Sequence, residues 1–162
     1  MKTCCISANL ELPPEQGQSA KRRLRKELDQ AIADGYTRFL CTLSPGLELY
    51  VARNLARRRR ENPDLRLDAV LGRRRRLWEL ANSGSTWRLL KACTAIYYPD
   101  APYDPSLEAR SLQYMVGQAD RVIAVYDGDE SGPTALVLML ACILKKEVRR
   151  IRLPGAAQGG GE

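Results

Sequence analysis

The sequence predicts an α/β sandwich of three layers, a mainly parallel central sheet covered by helices on both faces. Apolar β-type segments alternate with amphipathic helical segments about six times along the 162 residues, with short connections between them. Strand candidates such as "VIAV" at 122–125 are near-continuous apolar runs, the pattern of strands buried on both sides. Length, 44% apolar residues and 28% charged residues fit one globular domain over residues 1–153, with a glycine-rich tail at 154–162.

The elements follow in order. Residues 2–7 ("KTCCIS") read as the first strand, followed by a polar, proline-containing loop through Ser19. Residues 20–34 carry Leu24, Leu28, Ala31 and Ile32 at helical spacing, and Gly35 ends that helix. Strand 38–42, helix 47–60 and, after the Asn62-Pro63 break, strand 65–71 come next. A helix over 77–91 is interrupted near Asn82-Ser83-Gly84, and 93–98 is strand-like. Helix 106–118, strand 121–126, helix 133–144 and strand 147–151 complete the alternation.

Composition excludes several chemistries. The chain has no histidine, which removes Ser-His-Asp triads and every His base or metal ligand. Five cysteines, Cys4, Cys5, Cys41, Cys93 and Cys142, lie in apolar segments without CxxC spacing and read as reduced thiols packing as small hydrophobes. Asp127, Asp129 and Glu130 match no calcium-loop spacing, so neither a metal nor a cofactor is expected. The longest apolar run, 135–144, is short of the roughly 18 residues of a membrane span. With no leader pattern at the N-terminus, a cytoplasmic protein is expected.

Two strand-to-helix turns stand out. In "CTLSPGLELY", Ser44 can cap a helix, Pro45 suits its first position, and Glu48 falls in its first turn. Glu48 is four residues after Ser44, so the three-residue spacing of a capping box is not met. In "VYDGDESGPTALVLMLA", an acidic loop with Asp127 and Gly128 leads to a helix start at Gly132-Pro133-Thr134. Both turns fall at the carboxyl edge of the expected sheet, where ligands of such sheets bind and helix N–H groups favour anions. A well-made helix start has the same features, so spacing alone leaves both readings open.

These motifs resemble the YpsA-like branch of the SLOG superfamily, Rossmann-like proteins that include the LOG phosphoribohydrolases and the DNA-processing protein DprA. The resemblance spans residues 3–153 and rests on Gly46-Leu47-Glu48-Leu49-Tyr50, on "ADRVIAVYDG" at 119–128 and, in part, on Gly132-Pro133-Thr134. It implies a Rossmann-like fold and a pocket for a nucleotide or nucleotide-derived phosphorylated compound at the carboxyl edge. The residues implied for that pocket are Ser7, Asn9, Ser44, Gly46, Glu48, Asp127, Gly128, Gly132 and Thr134. Where the family runs into Thr-Gly-His-Arg this chain has Ser7-Ala8-Asn9, and Leu43 and Ser44 replace early glycines of the second motif. The LOG signature Pro-Gly-Gly-x-Gly-Thr-x-x-Glu is absent. A LOG-like cleavage of a nucleotide N-glycosidic bond, with Glu48 as its acid, is therefore ranked below simple binding.

The net charge of +7 is concentrated in clusters. Residues 21–26 and Arg73, Arg74, Arg75 and Arg76 are expected on the carboxyl-edge side as anion-attracting groups, and 57–60 at the opposite edge, where they complement a helix C-terminus. A DprA-like nucleic-acid contact is the less favoured partner, and a homo-oligomer is compatible with the sequence. Trp78, Trp87, Tyr97, Tyr98 and Tyr103 read as core or interface residues rather than base-stacking platforms.

Overall fold

The structure is a computed structural model that describes residues 1–9, 11–99, 102 and 104–153, so Tyr103 and the tail at 154–162 lie outside the described residues. Six strands form one sheet: β1 (Lys2–Ser7), β2 (Tyr36–Cys41), β3 (Arg66–Val70), β4 (Ala95–Tyr97), β5 (Arg121–Tyr126) and β6 (Glu147–Arg152). Every pairing is parallel, in the order β4-β3-β2-β1-β5-β6. The helices are α1 (Pro14–Ala33), α2 (Leu47–Glu61), α3 (Arg74–Ala81), α4 (Gly84–Ala92), α5 (Pro105–Gln118) and α6 (Pro133–Ile143). This is the expected Rossmann-like sandwich with β1 at its centre. The chain builds outward from β1 to β4, then crosses through α5 to β5 on the other side of β1. Ligands of such sheets bind at that reversal, beyond the carboxyl ends of the strands.

Strand alternation divides the core into two faces. Cys4, Ile6, Phe39, Cys41, Leu67, Ala69, Ile123 and Val125 point toward Leu24 and Leu28 of α1, Val51 and Leu55 of α2, Leu80 of α3 and Leu89 of α4. Cys5, Leu40, Val70, Val122 and Ala124 point the other way, toward Leu112, Met115 and Val116 of α5 and Val137, Leu138 and Ala141 of α6. Each fully buried leucine contributes about 1.5–3 kcal/mol.

The first helix begins earlier than its hydrophobic pattern predicts. Pro14 opens α1, where a missing N–H costs nothing, and the helix runs through the expected loop at 14–19. Its first turns bury Gly17 and Ala20, residues too small to register as an apolar stripe. Gly35 and Gly46, at φ 93° and 87°, supply the left-handed conformation that ends α1 and opens α2. Leu43 adopts φ 58° although it is not glycine, and its side chain is fully buried.

Three cysteines, Cys4, Cys5 and Cys41, are buried as expected, whereas Cys142 is exposed on the outward side of α6 beside Ile143 and Leu144. Burial pushes the Cys5 thiol up to about 12. Of the aromatics, Trp78, Trp87 and Tyr98 are exposed and so lie outside the core, and Tyr97 is half-buried against Tyr114. Among the described residues no helix is long and apolar enough to cross a membrane.

The amino end of the sheet is closed by charge pairs. Arg121, buried at the start of β5, reaches Asp34 at 2.8 Å and Glu147 at 2.5 Å. Farther along, in the middle of β3, the buried Asp68 carboxylate receives Arg38 Nε at 2.8 Å and the Arg66 guanidinium at 3.3 Å.

Candidate functional site

The carboxyl end is organised by neutral hydrogen bonds around one buried carboxylate. Glu48, in the first turn of α2, is completely buried. Its Oε1 accepts from the Thr42 N–H (2.8 Å) and the Thr42 hydroxyl (2.7 Å), and its Oε2 accepts from the Ala8 N–H (3.1 Å). The side chain thus ties the ends of β1 and β2 together. Burial raises its pKa above the ordinary 4.5, and the donors from Thr42, Ala8 and Ser44 oppose that shift.

This carboxylate sets the direction of a chain of hydrogen bonds. Because the Thr42 proton goes to Glu48, Thr42 Oγ1 must accept from Ser44 Oγ, 2.9 Å away. Ser44 Oγ in turn accepts from Asn9 Nδ2 at 2.6 Å. The Asn9 amide is thereby oriented with its oxygen toward Ser7 Oγ (3.1 Å) and Thr134 Oγ1 (3.2 Å). Ser7 and Thr134 are buried and sit 2.9 Å apart, joining β1 to the start of α6. Sequence-distant residues at 7, 9, 42, 44, 48 and 134 therefore form one connected network.

Above the network lies a cavity of about 310 Å³. Asn9, Thr42 and Ser44 form its polar floor, with Pro45, Leu112 and Pro133 as apolar wall. Arg73 and Arg76 enter from the start of α3, and Glu108 and Ser111 from α5. Arg73 lies 3.4 Å from Glu108, and Arg76 lies 3.6 Å from Glu79. Both separations are looser than the roughly 2.7–2.9 Å of a tight charge-assisted bond. Arg76 also donates to the carbonyl of Leu43 at 2.7 Å, so the left-handed turn at Leu43 holds the guanidinium against the cavity. Gly72 lies close against α5: a Cβ there would meet Glu108 Cγ at 2.9 Å and displace that side chain.

The sequence-derived candidates separate into three groups. Asn9 and Ser44 line the cavity, with Ser7, Glu48 and Thr134 buried beneath it in the same network. Gly46 lines a different groove, between α1 and α2. Asp127 and Gly128 are exposed in the β5–α6 loop, where Asp127 Oδ1 accepts from the Asp129 N–H, and Gly132 packs against Asp129 as the residue preceding α6. Of the α3 arginines, Arg73 and Arg76 line the cavity while Arg74 and Arg75 are exposed. The cluster at 21–26 lies beyond the first turn of α1, and its Lys21 lines the α1–α2 groove rather than the cavity.

Thr42, Gly72, Glu79, Glu108 and Ser111 were not anticipated. Thr42 was legible as the end of a strand facing the carboxyl edge. Glu108 and Ser111 had no such signal, since their place depends on how α5 crosses the sheet. Comparison of the chain with protein-family models and with curated proteins finds no match.

Proposed function

We propose that the chain binds a nucleotide or nucleotide-derived phosphorylated compound in the cavity over β1, β2 and β3. The observation that carries this reading is the mixed lining: two guanidinia, two carboxylates, an oriented amide and hydroxyl, and an apolar wall meet at the carboxyl edge. A phosphate suits Arg73 and Arg76, a ribose diol suits Glu79 and Glu108, and a base fits against Leu112 and Pro133. The second Nδ2–H of Asn9, held only by a long 3.5 Å bond to Thr42 Oγ1, and a lone pair on Ser44 supply one donor and one acceptor. The volume matches the small end of the roughly 300–1,000 Å³ typical of ligand pockets. The SLOG resemblance of the two turns supports the same site. In this reading Glu48 is a positioning residue, because its oxygens are spent on Ala8 and Thr42. A cytoplasmic location fits the free cysteines, which stay reduced there.

The test is thermal stabilisation by nucleoside mono- and diphosphates, nucleotide sugars and cyclic dinucleotides, since a ligand that binds the native state raises the melting temperature by mass action. A saturable shift that Arg73→Ala and Asn9→Ala each weaken is expected. A shift unchanged in both variants, or none with any compound, overturns the assignment. Release of free base from a stabilising nucleotide would convert the binding site into a hydrolase site.

A further inference from the structure

The arginines of α2 carry a second inference, independent of the cavity. The run at 57–60 does not act as one solvated block. Arg58 reaches Asp29 at 2.5 Å and bonds Asn54, and Arg59 donates to the carbonyls of Leu65 and Ala92. These two fasten α2 to its neighbours. Arg57 and Arg60 point outward instead, together with Arg53, at the i, i+4 and i+7 positions of one helix face.

No carboxylate among the described residues pairs with Arg53, Arg57 or Arg60 within ion-pair distance. Two grooves flank them. One, of about 520 Å³, lies between α1 and α2 and adds Lys21, Tyr50 and a single carboxylate, Glu11. The other, of about 300 Å³, lies between α2 and α4, adds Arg60 and Arg88, and has no carboxylate in its lining. Arg53 and Arg57 belong to both, so they stand on the ridge that separates the grooves. Tyr50 fixes Lys21, which lies over its ring at 5.0 Å, and one further cation, Arg25, which donates to its hydroxyl at 3.2 Å.

A small ligand is held by groups that converge on one concavity. Here the cations spread along a convex ridge and into both flanking grooves, which suits an extended polyanion. Four helical residues rise about 6 Å, so Arg53, Arg57 and Arg60 span about 10 Å along α2. In a nucleic-acid strand a phosphate recurs about every 3.4 Å of duplex axis, so that row faces about three phosphates. We propose that the outer face of α1, α2 and α4 binds nucleic acid through its sugar-phosphate backbone, without sequence preference. Charge complementarity is the recognising chemistry, and guanidinium is well matched to phosphate.

The experiment is fluorescence anisotropy of labelled single-stranded and double-stranded DNA oligonucleotides of mixed sequence, titrated with the full chain across a series of salt concentrations. Affinity should fall steeply with salt. Arg53→Ala/Arg57→Ala should weaken binding roughly tenfold at low salt and reduce the slope of log K against log[salt] by about 2, one unit per lost phosphate contact. Arg53→Lys/Arg57→Lys keeps the charge and should retain most of the affinity, which separates charge from fold. Arg110→Glu removes the same total charge from α5, on the other face of the sheet, and should change little. Absence of DNA binding at low salt, equal affinity of the double-alanine variant, equal loss in Arg110→Glu, or binding only to vesicles of phosphatidylcholine with phosphatidylserine would each overturn the proposal.

Discussion

Two regions of the sheet handle buried carboxylates in opposite ways. In the middle of β3 Asp68 is fully buried and faces two guanidinia, Arg38 and Arg66, and at the amino end Arg121 is clamped between Asp34 and Glu147. At the carboxyl end Glu48 is equally buried but is met by N–H groups and a hydroxyl, with no cation bonded to it. The charge pairs tie strands to one another, and Arg38 reaches on to Tyr97 and Tyr114, which line a groove separate from the cavity over Asn9. Neutral donors at the carboxyl end pass the influence of one carboxylate outward, through Thr42 and Ser44 to Asn9, at the floor of an open pocket. The first arrangement fixes the fold, and the second orients a surface.

The largest test of this contrast is Asp68→Ala. It leaves Arg38 and Arg66 facing each other without a counter-charge, and we expect a loss of about 3 kcal/mol in urea unfolding. Ligand-induced stabilisation should persist in that variant, because Asp68 bonds Arg38 and Arg66 and not the residues of the network. Glu48→Ala should cost somewhat less, about 2 kcal/mol, from the unpaired N–H groups of Ala8 and Thr42. It should also weaken ligand binding, since Asn9 and Ser44 lose their fixed orientation. Equal effects of both variants on binding would break the distinction between the two regions.

Acidification sharpens it further. Glu48 has a raised folded pKa, so the folded protein takes up this proton before the unfolded chain does. Its contribution to stability therefore grows as pH falls through the raised value toward about 4.5 and is lost again as pH rises. Asp34 is shifted the other way, chiefly by its hydrogen bond from Arg121, and Glu147 is lowered because bonds from Arg149 and Arg121 outweigh burial. Their contribution is present above the ordinary carboxylate values and is lost as pH falls through the depressed ones. Urea midpoints measured against pH should show the gain in the native chain and not in Glu48→Gln, whereas the loss at lower pH should appear in both. The smallest effect belongs to Gly72→Ala, where the added methyl displaces the Glu108 side chain for about 1 kcal/mol and disturbs the Arg73–Glu108 pair. Weaker ligand binding with no larger loss of stability than that would place the pair in the site.

Particular residues mark how far the sequence could be read. The strands and helices from residue 36 onward fall close to their expected bounds because each carries its own period and its own breaker, such as Asn62-Pro63 or Asn82-Ser83-Gly84. The start of α1 was missed because Gly17 and Ala20 bury little surface. Asn9, Ser44 and Glu48 were legible as polar residues just past strand ends in a parallel sheet. That Glu48 is buried beneath the site and not exposed within it was not legible, because burial depends on β1 and β2 lying side by side. The division of the α2 arginines was equally hidden, since Arg58 and Arg59 find partners in other elements and Arg57 and Arg60 do not.

The sequence by itself determined the alternation of strands and helices, the parallel sheet and the edge that carries the Ser44 and Gly132 turns, because periodicity and turn chemistry act within a few residues. Only the tertiary structure decided which polar groups meet. The direction of the bonds from Asn9 to Glu48, the approach of α5 to Gly72 and the exposure of Arg53, Arg57 and Arg60 all depend on contacts between residues far apart in the chain, where desolvation and pairing are set by neighbours that no local pattern encodes.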